Sequence, residues 1–401
     1  MSEKSDTGAG MTSEQVLALI LPPSVSHGYG GHLVGSDGAD YIDMVSAWGA
    51  NLLGYGNTRI ARAVAAQAAR YTNLGMAGPE FAKLQTLLSK HVPCAEAIYL
   101  VKNGSDATAA AVRLARSVTG RDKILHRGYH GVQDWYMASI RSTGVPAASR
   151  DHIVTLPTLD PASVSVALAA HPGEVACLIL DPMVWPYPNA SEMAEIASLV
   201  RKSGALLVFD EVVSGLRVAV GGMQEVWGVK PDLACLGKGL ANGLPIAALV
   251  GREEWMRHVY SINYSLTFGL EAVSIVAAIE TIGEVVERGV CKELARKGRL
   301  LKDAYARLVG ERGIASALVG HDCRPQLFFE AANGTSPEVC NFVVVEALAR
   351  QRISTYGTFS LCHAHTEADI AAVIASLEKA VDKLADGLHK SSVRAVSQAA
   401  P

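Results

Sequence analysis

Several familiar signatures are missing from this sequence. Its seven cysteines (Cys94, Cys177, Cys235, Cys291, Cys323, Cys340 and Cys362) are scattered, with no C-x-x-C pair. An odd, unpatterned set argues against a disulfide framework or a zinc site and fits reduced thiols in a cytoplasm. No apolar run reaches membrane-spanning length, and the polar, Gly-rich amino terminus lacks the apolar stretch of a signal peptide. Charge is sparse: 19% of residues are charged and the formal net charge is -3. No basic cluster is dense enough to suggest nucleic acid. No internal repeat is visible. What the chain does have is 401 residues, 49% of them hydrophobic. That is enough to bury a sizeable core in one large domain with a smaller companion.

The most informative stretch runs from Leu206 to Gly251. Leu206-Leu207-Val208-Phe209 is a short run of bulky apolar residues, the pattern of a buried strand. Two carboxylates, Asp210 and Glu211, stand at its carboxyl end, the end at which open α/β sheets bind ligands. A second run, Leu233 to Leu236, leads into Gly237-Lys238-Gly239. An amine at a strand tip between glycines suits covalent chemistry. Taken alone, Asp210 and Lys238 read equally well as a structural ion pair.

Strands alternate with helical patterns around this stretch, which predicts a mostly parallel sheet. Strands are expected at 97–101, 124–126, 175–180 and 206–209. Helices are expected at 60–70, 81–90, 107–117, 191–202 and 271–288. The segment 137–159, with Gly144, Pro146 and Pro157, reads as a long loop. A hairpin is expected around Ser36-Asp37-Gly38, between strands at 31–34 and 41–43. Beyond Lys292 the pattern becomes α+β, with a helix, strand signals at 327–330 and 360–363, and a last helix at 367–384. A short helix is expected at 13–20. The first ten residues and the Ser/Ala-rich tail from His389 read as mobile.

Between strand and helix stands Asn103-Gly104-Ser105-Asp106. Backbone N–H groups at a helix start, with a hydroxyl, form an anion site, although a capping serine gives the same pattern. Gly128-Tyr129-His130-Gly131 follows the next strand. Tyr129 is by itself an ordinary core tyrosine, and His130 reads as structural or as a support behind the residues that touch a ligand. Ser265-Leu266-Thr267-Phe268-Gly269 is a short loop in which Thr267 could simply start a helix.

Three stretches together resemble the class III pyridoxal-phosphate aminotransferases. They are Asp210-Glu211-Val212 with Ser214-Gly215 and Arg217, Gly237-Lys238 with Gly243 and Pro245, and the 22 residues NGSDATAAAVRLARSVTGRDKI from Asn103. The likeness spans about Gly31 to Leu384. It implies a fold-type I transferase: an α/β large domain with a mostly parallel central sheet and a smaller α+β domain. The expected division is an amino-terminal segment at 1–55 that joins the small domain, a cofactor domain at 56–289 and a small domain at 290–401.

The resemblance also implies roles. Lys238 forms the Schiff base, its amine made neutral by desolvation beside a cationic group. Asp210 keeps the pyridine nitrogen protonated. Gly104 and Ser105 hold the phosphate. Tyr129 and Val212 cover the two ring faces. Thr267 reaches the phosphate of the neighbouring subunit, which implies a homodimer with shared active sites. Trp48, Tyr136, Arg217 and Glu271 are candidate substrate contacts.

The expected activity is transfer of an amino group from an amino-acid donor, Glu or Ala, to a ketone or aldehyde, such as a sugar or specialised-metabolite precursor. The alternatives are an aminomutase of the glutamate-1-semialdehyde type, an amino-acid racemase or epimerase, or an inactive scaffold. Val213 with Ser214-Gly215-Leu216-Arg217 is similar to the aminomutase branch. Leu216, the Asp181-Pro182-Met183 turn and Gly269-Leu270-Glu271 depart from it and point away from the mutase reaction. No metal, nucleic acid or membrane is expected to take part.

Overall fold

The structure is a computed structural model that describes residues 24–140, 142–331 and 335–398. The expected helix at 13–20 lies outside the described residues. The chain divides into two compact units, Met1–Asn57 with Glu293–Pro401, and Thr58–Lys292. The sequence reading placed these boundaries at 55/56 and 289/290.

The first unit opens with three antiparallel strands, β1 (Val25–Tyr29), β2 (His32–Gly35) and β3 (Asp40–Asp43). The β2–β3 turn is the Asp37-Gly38 turn of the sequence. Gly38 takes φ 77° there, a left-handed value that glycine adopts without steric cost. The outer strand β1 was not anticipated; its residues are almost all exposed and carry no alternation of apolar and polar positions.

The second unit is built on a seven-stranded sheet. Its strands are β4 (Ala97–Val101), β5 (Lys123–Arg127), β6 (Ile153–Thr155), β7 (Val175–Leu180), β8 (Leu206–Glu211), β9 (Leu233–Leu236) and β10 (Ala247–Gly251). The order across the sheet is β4-β10-β9-β8-β7-β5-β6. Strand β10 runs antiparallel to both neighbours, and the remaining pairs are parallel. Every residue of β7 and β8 is buried. Helices cover both faces of such strands, so the sequence shows unbroken apolar runs there instead of alternation.

The helix Gly104–Thr119 packs on this sheet through Ala107, Ala110, Ala111, Leu114 and Ala115, in one cluster with Ile179, Val208 and Leu249. Alanines at this spacing form a narrow apolar stripe that admits close approach. Ala111→Leu would overpack it at a cost of about 1–3 kcal/mol. Gly120, at φ 66°, ends the helix, and its N–H bonds to the Arg116 carbonyl. This helix starts three residues earlier than the sequence suggested, for a reason that lies in its cap, described below.

Two further expectations are corrected. The segment read as a long loop contains β6, only three residues, paired in parallel with β5 at the sheet edge. It is followed by an unanticipated helix, Pro161–Ala170. Its start has the usual chemistry: the Asp160 side chain accepts from Ser163 N–H at 2.8 Å and Pro161 stands in the first turn.

The rest of the first unit comprises an antiparallel pair, β11 (Ser316–Val319) and β12 (Gln326–Phe329), and β13 (Ile353–Ser354), which adds to β3 in parallel. The expected strand at 360–363 joins no ladder. It runs as extended chain, with Ser360 N–H bonded to the Met44 carbonyl and His363 N–H to the Leu52 carbonyl. The last helix, Glu367–Gln398, continues through the tail that was read as mobile. No helix among the described residues is long and apolar enough to cross a membrane.

Candidate active site

Adjacent residues of a strand point to opposite faces, and this separates the two carboxylates at the end of β8. Glu211 is enclosed. It accepts from the Ser214 hydroxyl and from the N–H groups of Met223 at 2.9 Å and Gln224 at 3.0 Å. Burial pushes its carboxyl up to about 6. It fastens the following loop, and a Cβ at Gly222 (φ 76°) would lie 2.3 Å from its Oε2. Asp210 faces the other way. Its Oδ2 accepts from His130 Nδ1 at 2.8 Å and its Oδ1 from Val212 N–H at 3.2 Å. It is 5% exposed, a depth at which a carboxylate needs such partners.

The helix Gly104–Thr119 begins in a capping box. The Asn103 side chain accepts from Asp106 N–H at 3.0 Å, and Asp106 Oδ2 accepts from Asn103 N–H at 3.1 Å. That reciprocal pair draws Gly104 to Asp106 into the first turn. The N–H of Ala107 bonds to the Asn103 carbonyl. Helices leave their first N–H groups without intrahelical partners, so those of Gly104 and Ser105 remain for an anion. The Ser105 hydroxyl accepts from Val132 N–H at 3.1 Å. Thr108 donates to the His130 carbonyl at 2.7 Å. A Cβ at Gly131 (φ 103°) would come 2.2 Å from Ser105 Oγ. The helix start and the 128–132 loop are therefore pinned together.

Lys238 follows β9 in a short 3-10 turn, Lys238–Ala241. The sequence reading credited the flanking glycines with the close approach, and the structure shifts the emphasis. Gly237 is extended, whereas Lys238 itself takes φ 45°. A lysine in that region is strained by about 1–2 kcal/mol. The three pieces meet at Val212: a Cβ added at Gly104 would stand 2.8 Å from its Cγ1, and one added at Gly237 would stand 3.3 Å away. The structure thus gathers an anion-binding helix start, a buried carboxylate and a half-buried lysine around one valine. That set suits a ligand with a phosphate, a basic ring nitrogen and an aldehyde.

Tyr129 is 56% exposed, with its ring at 81° to that of Tyr136 and centroids 5.4 Å apart. Tyr136, expected as a substrate contact, is buried. It meets Tyr129, His126 and His130 edge-on, and burial raises its hydroxyl. Arg217, also expected to touch substrate, is 1% exposed and enclosed. Glu271 caps the helix Ala272–Glu287, accepting from Val273 and Ser274 N–H and pairing with Lys102 at 3.0 Å. Burial disfavours its charge, but the Ser274 and Lys102 hydrogen bonds outweigh that and hold the carboxyl below its usual range. Trp48 belongs to the other unit, where it is exposed and stacked on Tyr356 with centroids 4.6 Å apart. Thr267 is exposed in a turn, its carbonyl accepting from Asn73 Nδ2 at 3.0 Å. The sequence reading missed the bond from His130 to Asp210. The only trace of it was a histidine next to the candidate stacking tyrosine.

The chain is similar to known proteins in both sequence and fold. The family model described as aminotransferase class-III matches residues 16–316. Over 374 residues the chain is 33% identical to a 3-aminobutyryl-CoA aminotransferase from Cloacimonas acidaminovorans, covering 90% of this chain and 89% of the relative. It is 31% identical to a glutamate-1-semialdehyde 2,1-aminomutase from Methanocaldococcus jannaschii, over 81% and 79% of the two chains. Among solved structures, the PLP internal aldimine form of the FumI protein of Sphingopyxis sp. MTA144 aligns with a TM-score of 0.84 at 28% identity. That alignment covers 93% of this chain and 92% of that one. An omega-transaminase from Sphaerobacter thermophilus aligns with a TM-score of 0.84 at 25% identity, covering 94% of each chain.

Proposed function

The chain belongs to the class III aminotransferase family, with the fold-type I architecture and pyridoxal phosphate as cofactor; from that premise we propose that it moves an amino group from glutamate or alanine to a ketone or aldehyde of sugar or specialised-metabolite type. The observation that supports this reading is the convergence on Val212 of Gly104, Asp210 and Gly237, the residue that leads into Lys238. The 3-aminobutyryl-CoA aminotransferase relative, whose name places the amine away from the α-carbon, supports an acceptor of the same kind.

When bound, pyridoxal phosphate supplies an aldehyde for amine capture and a ring that withdraws electrons from the reacting carbon. The residues then divide the work. The N–H groups of Gly104 and Ser105, at the positive end of a 16-residue helix, bind and orient the phosphate. The Asp210 carboxylate, anchored by His130 and Val212, holds a proton on the ring nitrogen. Val212 and Tyr129 close the two ring faces and exclude water. Lys238 Nζ takes the hydrogen from the amine-bearing carbon of the donor and later delivers one to the acceptor carbon. A partner copy brings its own Thr267 hydroxyl to the phosphate, so the working unit is a homodimer acting in a cytoplasm.

The test is direct. The purified holoenzyme is reduced with borohydride and its labelled peptide mapped; the label belongs on Lys238, and Lys238→Ala should reduce turnover to background. A label elsewhere, or near-normal turnover in that variant, sinks the assignment. Aminomutases at 31% identity keep a second reading in view. Amine conversion that proceeds without any added oxoacid would favour that reading over transfer.

A further inference from the structure

The turn that carries Thr267 ends in Gly269-Leu270-Glu271, one of the places where the sequence departs from the aminomutase branch. Helices favour Ser, Thr, Asp or Asn as the capping residue, yet the cap of Ala272–Glu287 is a glutamate. Its carboxylate accepts from Val273 N–H at 2.6 Å and from Ser274 N–H at 3.1 Å, which an aspartate could also do. The extra methylene gives it a further partner. Lys102 Nζ donates to Glu271 Oε2 at 3.0 Å, and the two side chains are 19% and 17% exposed.

Lys102 stands where several segments meet. It directly precedes Asn103, whose side chain caps the helix Gly104–Thr119. Its ammonium also donates to the Pro245 carbonyl at 3.1 Å, so it is held from a second side. The Thr267 turn is steadied from other directions. The Thr267 carbonyl accepts from Asn73, and a Cβ at Gly269 would come 3.0 Å from the Leu100 carbonyl on β4. Within the turn, Gly269 N–H bonds to the Leu266 carbonyl and Glu271 N–H to the Phe268 carbonyl. These contacts hold the turn's backbone, and the ion pair fastens its downstream end to the residue beside the helix cap. The Lys102 charge is already matched by Glu271, so its part is geometric.

We propose that Lys102 is a positioning residue for the cofactor phosphate. Through Glu271 it ties the helix start that would hold the phosphate of its own protomer to the turn whose Thr267 would reach the phosphate of the partner. The inference rests on the proposed roles of Gly104, Ser105 and Thr267 and adds the strut between them. Lys238 is held separately, by β9 and its own 3-10 turn. Loosening the strut therefore weakens the grip on phosphate and spares the capture of the aldehyde.

The test compares two ligands of the apoenzyme, pyridoxal phosphate and pyridoxal, which lacks the phosphate. Lys102→Met keeps the aliphatic stem and removes the ammonium. Glu271→Asp keeps a favoured cap and its charge but withdraws the carboxylate by one methylene. Thr267→Ala should weaken pyridoxal phosphate binding about 10- to 100-fold, the range for losing a hydrogen bond to a charged group. Lys102→Met and Glu271→Asp should each weaken it about 3- to 10-fold, a part of that loss, and leave the affinity for pyridoxal unchanged. In the Thr267→Ala background either change should cost less than it does alone, because part of its effect runs through the absent hydroxyl. Equal losses for both ligands would mark a general loss of structure and overturn the proposal. So would full retention of pyridoxal phosphate in Lys102→Met and Glu271→Asp, or losses that add in full to that of Thr267→Ala. Should Lys102→Met fail to fold, Glu271→Asp carries the same comparison. Undiminished pyridoxal phosphate binding in Thr267→Ala itself would instead refute the parent reading, and the proposal with it.

Discussion

A methyl group at position 104 is the sharpest probe of how this site is assembled. In Gly104→Ala the new Cβ would stand 2.8 Å from Val212 Cγ1 and 3.0 Å from Cγ2, but 3.5 Å from Val212 Cβ. The first two distances are shorter than side chains tolerate, and the third is ordinary contact. The backbone around 104 is tied to the capping box, so the strain falls on Val212 and the helix start. Overpacking of this kind costs about 1–3 kcal/mol. Val212→Ala alone removes two half-buried methyls, at about 0.8 kcal/mol each if fully buried. In the double variant both offending carbons are gone, so the loss should match Val212→Ala alone. The coupling is then about 1–3 kcal/mol, read from thermal melts of the apoprotein, where each kcal/mol moves the midpoint by about 2–4 °C for a unit of this size. Additive effects, within about 0.5 kcal/mol, would refute the claim that Val212 fills the space above Gly104.

Other consequences can be checked in parallel. Glu271→Ala should lose a helix cap, lowering stability by about 0.5–2 kcal/mol while leaving KM unchanged; an unchanged melt with a raised KM would show that the side chain touches substrate instead. His126 should make stability depend on pH. Its folded proton affinity sits near 4 against 6.5 in the unfolded chain, so the unfolded state takes up the proton first. Stability is complete above pH 6.5 and falls by about 1.4 kcal/mol per unit as pH drops towards 4. His126→Gln should flatten urea midpoints across that window, and an unaltered slope would contradict the burial argument.

The legible parts of the chain were those in which one segment carries its own signal. Leu206 to Phe209 is apolar because helices cover both faces of its strand, so the run itself reveals a buried strand and the two carboxylates at its end. Ala107, Ala111 and Ala115 mark a helix without help from elsewhere. The start of that helix was misplaced because Asn103 and Asp106 cap it reciprocally, and a cap looks like a loop until it closes. Strand β6 owes its existence to pairing with β5, which three residues cannot announce. Candidate contacts were harder still. Tyr136, Arg217 and Glu271 have side chains suited to binding; the sequence could not show that Tyr136 and Arg217 are buried and that Glu271 caps a helix. The link from His130 to Asp210 joins positions 80 residues apart, a distance that no local pattern bridges.

The backbone twist at position 238 carries a consequence for how such chains can change. Glycine or asparagine would sit there more comfortably than lysine. A copy that exchanged Lys238 for either would therefore become easier to fold, not harder. On the role we propose for its amine, decay towards a stable, silent protein is downhill at this residue, and demand for turnover is what holds the side chain in place.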